Sequence, residues 1–245
     1  MLKLFNINFT SCDFNLLIKL LKKPESLLFV FPAAPALSEI FNKKKYYASL
    51  RKADYIILES SLIAFMLFFK YRKLPKKISG YLFVKKFLEE KLFTKSKILL
   101  LEPNQNSEFK NIKLLIDKGY EKKNIFSYIC PFYNNSFNDI KLIKYLLTVK
   151  PNYVFINIGG LKQEILGLYI RENILTKGLN IKVLCTGAAL SFINGEQAPV
   201  NAISDKFYLS WLVRCLHNPK IFFPRYLKAF KLICLFLKYD RKDIA

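Results

Sequence analysis

The sequence predicts an α/β fold with a doubly wound, mostly parallel sheet, followed by a C-terminal helical appendage. Short apolar runs alternate with helical patterns of roughly 10 to 15 residues, which is typical of parallel strands joined by crossover helices. The chain has 245 residues, enough for one large domain with an addition. Its 52% apolar content is that of a folded protein. We expect a Rossmann-like core at 1–196 and the appendage at 197–245.

The predicted elements of the core follow one another in a regular order. The first is an amphipathic helix at 13–22, because Phe14, Leu17, Ile18 and Leu21 share one face. The strands are predicted at 27–31, 54–58, 98–101, 125–129, 153–158 and 181–185. The other helices are predicted at 36–51, 60–71, 82–93, 107–118, 137–149 and 162–173, with a basic turn at 76–81.

A carboxylate follows the strand predicted at 54–58. Glu59 is the first residue after this strand, at the edge where open α/β sheets place their ligands. It also precedes the helix predicted at 60–71, so capping of that helix is an alternative role. Glu59 is therefore a candidate catalytic residue, and its position fits both roles.

The stretch at 153–164, YVFINIGGLKQE, changes from a strand pattern to a helical pattern. Gly159 and Gly160 break the apolar strand, and the helix predicted from Lys162 carries Glu164 in its first turn. A strand, a glycine turn and a helix N-terminus form a site for phosphate groups in α/β sheets. A Gly-Gly pair after a strand is also common in turns without ligands, so this alternative stays open.

The sequence pattern changes after the strand predicted at 181–185. A small-residue turn at 186–189, which includes Gly187, faces the same edge of the sheet. From Pro199 onward only helical patterns are found, and the tail at 225–244 combines lysine and arginine with bulky apolar residues. This composition is typical of a helix in the headgroup layer of a membrane, although apolar residues docked on the core would give the same pattern.

The formal net charge of +22 predicts an anionic partner, either a nucleic acid, an anionic membrane surface or a phosphorylated substrate. Only six of the 40 basic residues are arginine, the residue on which base recognition depends most. No nucleic-acid motif stands out, and we expect no nucleic-acid partner. A lysine-rich nucleic-acid-binding module remains an alternative, as does lysine that only solvates the surface.

The cysteine and histidine content argues against several classes of catalytic and metal-binding site. The five cysteines are scattered and lack C-x-x-C spacing, which indicates reduced thiols in a cytoplasmic protein. A single histidine, His217, argues against histidine-based catalysis and multi-histidine metal sites. The longest apolar run, at 62–69, is too short to span a bilayer, and the N-terminus does not have the pattern of a signal sequence.

An ordered string of motifs extends from the glycine turn into the appendage. It consists of Gly159-x-x-Lys162-Gln163-Glu164, Gly187, Gly195, Ala198-Pro199, Leu209-x-Trp211-x-x-Arg214, Pro219 and Arg225-Tyr226. In this order the string resembles the WecG/TagA/CpsF family of bacterial glycosyltransferases, over about 5–232. The resemblance implies an α/β core with a C-terminal appendage. It also implies transfer of an N-acetylmannosamine-type sugar from a UDP-sugar to a polyprenyl-diphosphate glycolipid, with inversion and without a required metal or other cofactor.

The resemblance implies a role for each candidate residue. Glu59 occupies the position of the family's catalytic Asp and would be the general base. Arg214 and Arg225 would stabilise the departing diphosphate from the appendage. The residues that would bind the donor nucleotide are Gly159, Gly160, Lys162, Gln163, Glu164 and Gly187. The lipid-linked acceptor would bring the protein to the inner face of the cell membrane, and an oligomer is compatible with the sequence.

Several positions depart from the family pattern where ligands would bind. The family's glycine pair after the third strand is Glu102-Pro103 here; Pro103 removes an N–H donor, and Glu102 would repel phosphate if it faced the site. Asn157 and Ser191 replace a Gly and an Asp, and Gln197 replaces an Arg. These departures leave a second interpretation open, in which the chain is a non-catalytic, membrane-associated binding protein that retains the fold.

Overall fold

A computed structural model describes residues 2–90, 93–134, 137–197 and 210–239. The strands are Leu2–Leu4 (β1), Ile7–Thr10 (β2), Leu27–Val30 (β3), Tyr55–Ile57 (β4), Ile98–Glu102 (β5), Ile125–Ile129 (β6), Tyr153–Ile156 (β7) and Lys182–Cys185 (β8). They form a sheet in the order β1-β2-β4-β3-β8-β7-β5-β6. β1 pairs antiparallel with β2, and the other neighbouring strands are parallel. The predicted doubly wound, mostly parallel sheet is confirmed.

Helices cover both faces of this sheet. They are Phe14–Leu21 (α1), Ala34–Leu37 (α2), Lys44–Lys52 (α3), Ser61–Tyr71 (α4), Gly80–Glu89 (α5), Gln105–Asp117 (α6), Ile140–Val149 (α7), Lys162–Ile174 (α8) and Ala189–Ile193 (α9). Side chains of α3, α4, α7 and α8 pack in one core, and those of α1, α5, α6 and α9 in the other. Leu99 and Leu101 of β5 point into the first core and Leu100 into the second, as expected of a strand buried on both faces.

The N-terminal hairpin of β1 and β2 is not among the predicted elements. Its turn residues, Phe5 and Asn6, have left-handed backbone angles, with φ of 53° and 58°. A two-residue turn of this type is usually marked by Asn-Gly, and a bulky residue such as Phe is rare in this conformation. The hairpin therefore lacks the turn signal by which it could be recognised in the sequence.

The single helix predicted at 36–51 is wrong, because α2 and α3 replace it. The buried residues Ile40 and Tyr46 are six positions apart, and at 3.6 residues per turn they would fall on different faces of one helix. The chain turns between them, where the backbone N–H groups of Asn42 and Lys43 donate to the Glu39 carbonyl oxygen at 3.0 and 2.9 Å. The turn allows both buried side chains to reach the same core.

Gly167 brings α8 close to the sheet. A Cβ atom at this position would lie 2.7 Å from Sγ of Cys185 on β8 and 2.9 Å from Cδ1 of Leu28 on β3. Both neighbours are fully buried, so neither has open space into which it could move. Glycine at this position therefore lets α8 pack against the two central strands whose carboxyl ends border the site.

The strand order reverses between β5 and β7. The chain leaves β5 toward β6 at one edge of the sheet, whereas it leaves β7 toward β8 on the opposite side. Open α/β sheets bind ligands in the crevice outside the carboxyl ends of the strands at such a point. Glu102 ends β5 and Asn157 follows β7, so both residues lie at this crevice.

The described part of the C-terminal region is helical, and its helices are Ser210–His217, Pro219–Ala229 and Lys231–Tyr239. The Pro219–Ala229 helix packs against α2, and Leu232 and Phe236 are buried in the core that includes α3 and α8. The predicted helical appendage is thus found, whereas the boundary between 196 and 197 stays a prediction. Pro199, from which the appendage pattern starts, lies outside the described residues. Within those residues, no helix is long and apolar enough to cross a lipid bilayer.

Candidate active site

A cavity of about 510 Å³ lies at the carboxyl edge of the sheet. Its wall contains residues that follow different strands, namely Phe31 after β3, Glu59 after β4, Pro103 after β5, Gly159 after β7 and Gly187 after β8. Each of these residues leaves a parallel strand at the same edge, which is why segments far apart in sequence meet here. The cavity lies beside the reversal of strand order, where the topology places a ligand site.

Glu59 lies on the cavity wall, just beyond the end of β4. The alternative role, that of the cap of α4, belongs to Ser60. The Oγ atom of Ser60 accepts a hydrogen bond from the Ile63 N–H at 3.4 Å. Ser60 is therefore the N-cap of α4, and Glu59 precedes it on the cavity wall.

The turn between β7 and α8 presents its backbone to the cavity. Gly159 and Gly160 both line the wall, and a Cβ atom at Gly159 would meet nothing within 4 Å. The left-handed residue of the turn is Leu161, with φ of 72°. Neither glycine is therefore required by a left-handed backbone angle, and Gly159 provides open space next to the main chain. Such space lets a phosphate group approach backbone N–H groups closely.

Gln163 and Glu164 are buried beside this turn. The Nε2 atom of Gln163 donates to Oε1 of Glu164 at 3.0 Å. Burial, reinforced by the negative charge of Glu59, raises the pKa of Glu164 to about 7, although hydrogen bonds from Gln163 and from backbone N–H groups oppose the shift. The negative charge of Glu164 is therefore reduced at neutral pH.

Gly187, in the turn after β8, lies next to the side-chain amide of Gln163. Its φ of 59° lies in the left-handed region, and a Cβ atom there would lie 3.4 Å from Oε1 of Gln163. A larger residue would therefore be strained by this backbone conformation, and its Cβ atom would lie against this amide at ordinary contact distance. Glycine at this position therefore leaves space for the Gln163 side chain between the turn after β8 and the first turn of α8.

Unpaired polar atoms are concentrated around the cavity. Among the described residues, the buried side-chain oxygens without a hydrogen-bond partner include Oδ1 of Asn157, Oε1 of Gln163, Oε2 of Glu164 and Oγ1 of Thr186. All four residues line the cavity. A buried polar group without a partner costs about 1–3 kcal/mol. A ligand that offers hydroxyl or N–H groups would remove this cost.

Glu102 forms a buried network under the reversal point, and it is not among the predicted binding residues. Its Oε1 atom accepts from Nδ2 of Asn157 at 2.7 Å and from Nδ2 of Asn111 at 2.9 Å. Nδ2 of Asn194 donates in turn to Oδ1 of Asn111 at 2.7 Å. Burial raises the pKa of Glu102 to about 7. Glu102 faces these amides and is not part of the cavity wall, so it orients Asn157 and does not confront a phosphate directly. The sequence feature that could have indicated this role of Glu102 is a polar residue directly at the end of a buried strand.

The sequence model of the WecG/TagA/CpsF glycosyltransferase family matches residues 2–244, essentially the whole chain. The chain belongs to this glycosyltransferase family. Comparison with curated proteins finds no match. The resemblance drawn from the motif string is therefore confirmed, and glycosyl transfer is the general activity that the family name supports.

This WecG/TagA/CpsF family member brings most of its predicted site residues together. The cavity wall contains Glu59, Gly159, Gly160, Gln163, Glu164, Gly187 and Arg225. Lys162 is not on the wall, because its Nζ atom lies 3.7 Å from the ring centroid of Phe132. Arg214 belongs to the Ser210–His217 helix, and its side chain lies outside the described part of the chain. The roles of all these residues stay predictions.

Arg225 reaches the cavity of this glycosyltransferase from the Pro219–Ala229 helix. Its guanidinium carbon lies 5.9 Å from the centroid of the Phe222 ring, which also lines the wall. Glu59 comes from the sheet edge, so the core supplies a carboxylate and the appendage supplies a cation to the same cavity. A ligand with both hydroxyl and anionic groups is complementary to this arrangement.

Proposed function

We propose that this protein transfers a sugar, of the N-acetylmannosamine type or related to it, from a UDP-sugar to a polyprenyl-diphosphate glycolipid in bacterial surface-polysaccharide biosynthesis. The observation that carries the proposal is the presence of Glu59 and Arg225 on the wall of one cavity of about 510 Å³. Cavities of roughly 300–1,000 Å³ hold ligands of this size class. A hexosyltransferase needs a base for the acceptor and a cation for the leaving group, and this cavity offers both.

The diphosphate of the donor is proposed to bind between the Gly159-Gly160 turn and Arg225. Open space at Gly159 allows phosphate oxygens to approach the main chain, and an arginine fork can bind them in a bidentate manner. Glu164 also lies on this wall, and its full negative charge would oppose the diphosphate. Because burial raises the pKa of Glu164 to about 7, that charge is reduced at neutral pH.

Glu59 is proposed to act as the general base. It accepts the proton of the acceptor hydroxyl while the hydroxyl oxygen forms a bond to the anomeric carbon of the donor sugar. The bond between that carbon and the phosphate oxygen breaks, and UDP leaves with the bonding electrons. Arg225 stabilises the negative charge that develops on the leaving group. Attack from the face opposite UDP inverts the anomeric centre. Protein side chains supply each step, and we expect EDTA to leave the rate unchanged.

The appendage is proposed to contact the inner face of the cell membrane, where a polyprenyl-linked acceptor resides. Its described helices expose bulky apolar side chains, which are Phe223, Leu227, Phe230, Ile233 and Leu237. Lysines of the same helices, Lys220, Lys228, Lys231 and Lys238, lie among them in sequence. Apolar side chains combined with cations are typical of helices that lie in the headgroup layer.

Sedimentation with anionic liposomes tests the contact made by the appendage. The full-length protein is expected to sediment and to be released by high salt, because surface charges are screened over about 8–10 Å at ordinary ionic strength. Phe230→Ser with Leu237→Ser should weaken binding. Removal of everything after Asn218 is a poorer test, because it also removes the buried Leu232 and Phe236. Equal sedimentation of the variant and the parent would place the membrane contact elsewhere on the protein.

Calorimetry with UDP, followed by a transfer assay, tests the proposed reaction. The assay uses a panel of UDP-sugars with a polyprenyl-diphosphate glycolipid as acceptor, and transfer is expected from at least one of them. UDP binding without any transfer would support the alternative of a non-catalytic, membrane-associated binding protein. Absence of both UDP binding and transfer would contradict the proposed donor class. We also expect only weak DNA binding, even at low salt.

A further inference from the structure

The helix that follows Glu59 is apolar on its exposed side as well as its buried side. In α4, Ile63, Ala64 and Leu67 are completely buried in the core. The outward face carries Phe65, Phe68 and Phe69, which are 49%, 37% and 56% exposed. Positions three and four residues apart lie on one side of a helix, so these rings form a single aromatic face. A surface helix of a soluble protein normally presents polar residues there.

Exposed large apolar residues are also found at the last residue of the helix and in the turn after it. Tyr71 is 41% exposed and Leu74 is 51% exposed. We use the term α4 surface for the exposed side chains of Phe65, Phe68, Phe69, Tyr71 and Leu74. The rings of Phe68 and Phe69 contact each other edge to face, with centroids 5.7 Å apart. Phe68 and Phe69 are therefore adjacent exposed rings at the centre of the α4 surface, and groups of large apolar side chains on monomers commonly mark interaction sites.

The segment at the end of α4 is strongly basic. Lys70, Arg72, Lys73, Lys76 and Lys77 lie within eight consecutive positions, and no acidic residue occurs between Glu59 and Glu89. Asp13 reaches this segment from α1's N-terminus and pairs with Lys76 at 3.0 Å. Arg72 and Lys73 are exposed and follow the aromatic residues closely in sequence. The α4 surface thus combines an apolar centre with a cationic border.

We propose that the α4 surface docks on an anionic lipid surface, with Phe68 and Phe69 inserted at the headgroup boundary and Arg72 and Lys73 facing lipid phosphates. Aromatic residues beside cations are the composition that binds anionic bilayers, where each cation near the surface contributes attraction. A second copy of the chain is a poorer partner, because two such surfaces placed face to face would bring their cations together.

The position of α4 links this surface to the cavity. Ser60 caps α4 directly after Glu59, and Phe68 comes nine residues after Glu59. At 1.5 Å per residue, the inserted rings lie roughly 13 Å along the helix from the cavity edge. Docking would hold the cavity edge at a fixed distance of this order from the bilayer that carries a lipid-linked acceptor. This last step rests on the proposed function, whereas lipid binding by the α4 surface does not.

Vesicle sedimentation of the full-length protein tests the proposal without any sugar donor. The vesicles contain phosphatidylcholine with phosphatidylglycerol, or phosphatidylcholine alone. Phe68→Ser with Phe69→Ser is expected to weaken binding to the anionic vesicles by about tenfold or more, without changing the thermal unfolding temperature. The matched control is Phe109→Ser, since Phe109 of α6 is 70% exposed but lies outside the α4 surface. Binding of the double variant equal to that of the parent would overturn the proposal.

A second pair of variants separates local attraction from total charge. Arg72→Glu with Lys73→Glu and Lys113→Glu with Lys118→Glu change the net charge equally, and all four residues are exposed. The first pair is expected to weaken anionic vesicle binding by several-fold more than the second. Equal weakening would assign the attraction to total charge and overturn the proposal. A change of oligomeric state with unchanged lipid binding would also overturn it and favour a second copy.

The experiments distinguish a failure of the proposed sugar transfer from a failure of lipid binding by the α4 surface. If the protein transfers no sugar, the vesicle measurements still decide whether the α4 surface binds lipid. If it does transfer sugar, the Phe68→Ser, Phe69→Ser variant should lose activity toward an acceptor embedded in vesicles. It should keep parental activity toward the same acceptor dispersed in detergent, because neither residue lines the cavity.

Discussion

Asn157 donates a hydrogen bond of 2.7 Å from Nδ2 to Oε1 of Glu102, at the crevice where the strand order reverses. A second amide donor, Nδ2 of Asn111, lies 2.9 Å from the same oxygen. With its Nδ2 held in this way, Asn157 leaves an unpaired Oδ1 on a side chain that lines the cavity. A buried carboxyl group therefore sets the orientation of a residue in the candidate active site.

Glu102→Gln is expected to make stability less dependent on pH. Burial raises the pKa of Glu102 from 4.5 to about 7, so the folded protein holds a proton that the unfolded chain releases. The contribution of protonated Glu102 to the free energy of unfolding is therefore fully present below about pH 4.5, and it is lost as the pH rises through about 7. Between about pH 5 and 8, the parent should lose roughly 2–3 kcal/mol more than the variant, as measured by urea unfolding. Equal pH slopes would contradict the burial of this carboxyl group.

Gly167→Ala is expected to destabilise the fold by about 1–2 kcal/mol, even though alanine favours helices. The new Cβ atom would press on Sγ of Cys185 and Cδ1 of Leu28 at 2.7 and 2.9 Å. Gly159→Ala is the matched control, since its Cβ atom would meet nothing within 4 Å. Urea unfolding of both variants measures the difference. A Gly167→Ala protein as stable as the control would show that α8 can move away from the sheet at little cost.

Arg225→Ala is expected to lower kcat by about 10²-fold, because the developing charge on UDP would lose its cation. Lys228→Ala is the control, since Lys228 is an exposed cation of the same helix that does not line the cavity. Arg225→Lys should restore only part of the rate, because an ammonium group cannot form a bidentate contact. Steady-state transfer kinetics distinguish the three proteins. Equal losses in the alanine variants would indicate that total charge, and not the position of Arg225, determines the rate.

Lys162 and Phe132 are expected to be coupled in UDP binding. The Lys162 ammonium lies 3.7 Å from the Phe132 ring centroid, so it has to leave this ring to reach a diphosphate in the cavity. Phe132→Ala should then tighten UDP binding by about two- to fivefold, because an exposed cation–π contact is worth about 0.5–1 kcal/mol. Lys162→Ala should weaken it by about tenfold. Calorimetry on the double variant should match Lys162→Ala alone. An equal gain from Phe132→Ala in both backgrounds would disprove the coupling.

Much of the fold could be predicted because the central strands are apolar runs buried on both faces. In β7 every residue is buried, and the run from Tyr153 to Ile156 is visible in the sequence. The place of each strand in the sheet could not be predicted, because β7 lies between β5 and β8 through long-range pairing that no local pattern encodes. The hairpin at Phe5 and Asn6 was missed for a local reason, since its turn has an unusual sequence.

The candidate site also has features that could be predicted from the sequence and features that could not. Glu59 and the Gly159-Gly160 turn could be located because each begins within three residues of the end of an apolar strand. The direction of the Lys162 side chain could not be predicted, because its ammonium group contacts Phe132, which lies on a different connection. Glu102 was considered as a charge that could repel phosphate, whereas Asn111 and Asn157 make it a buried hydrogen-bond acceptor. Side-chain partners from separate segments are the information that the sequence patterns lack.

The most direct measurement compares Glu59→Gln with the parent in sugar transfer from a UDP-sugar to a polyprenyl-diphosphate glycolipid, with UDP affinity determined in parallel. Glutamine retains the size of Glu59 but cannot accept the acceptor proton. We expect kcat to fall by about 10²-fold or more while UDP affinity barely changes, as for the loss of a general base. A Glu59→Gln protein as active as the parent would contradict the assignment of Glu59 as the base.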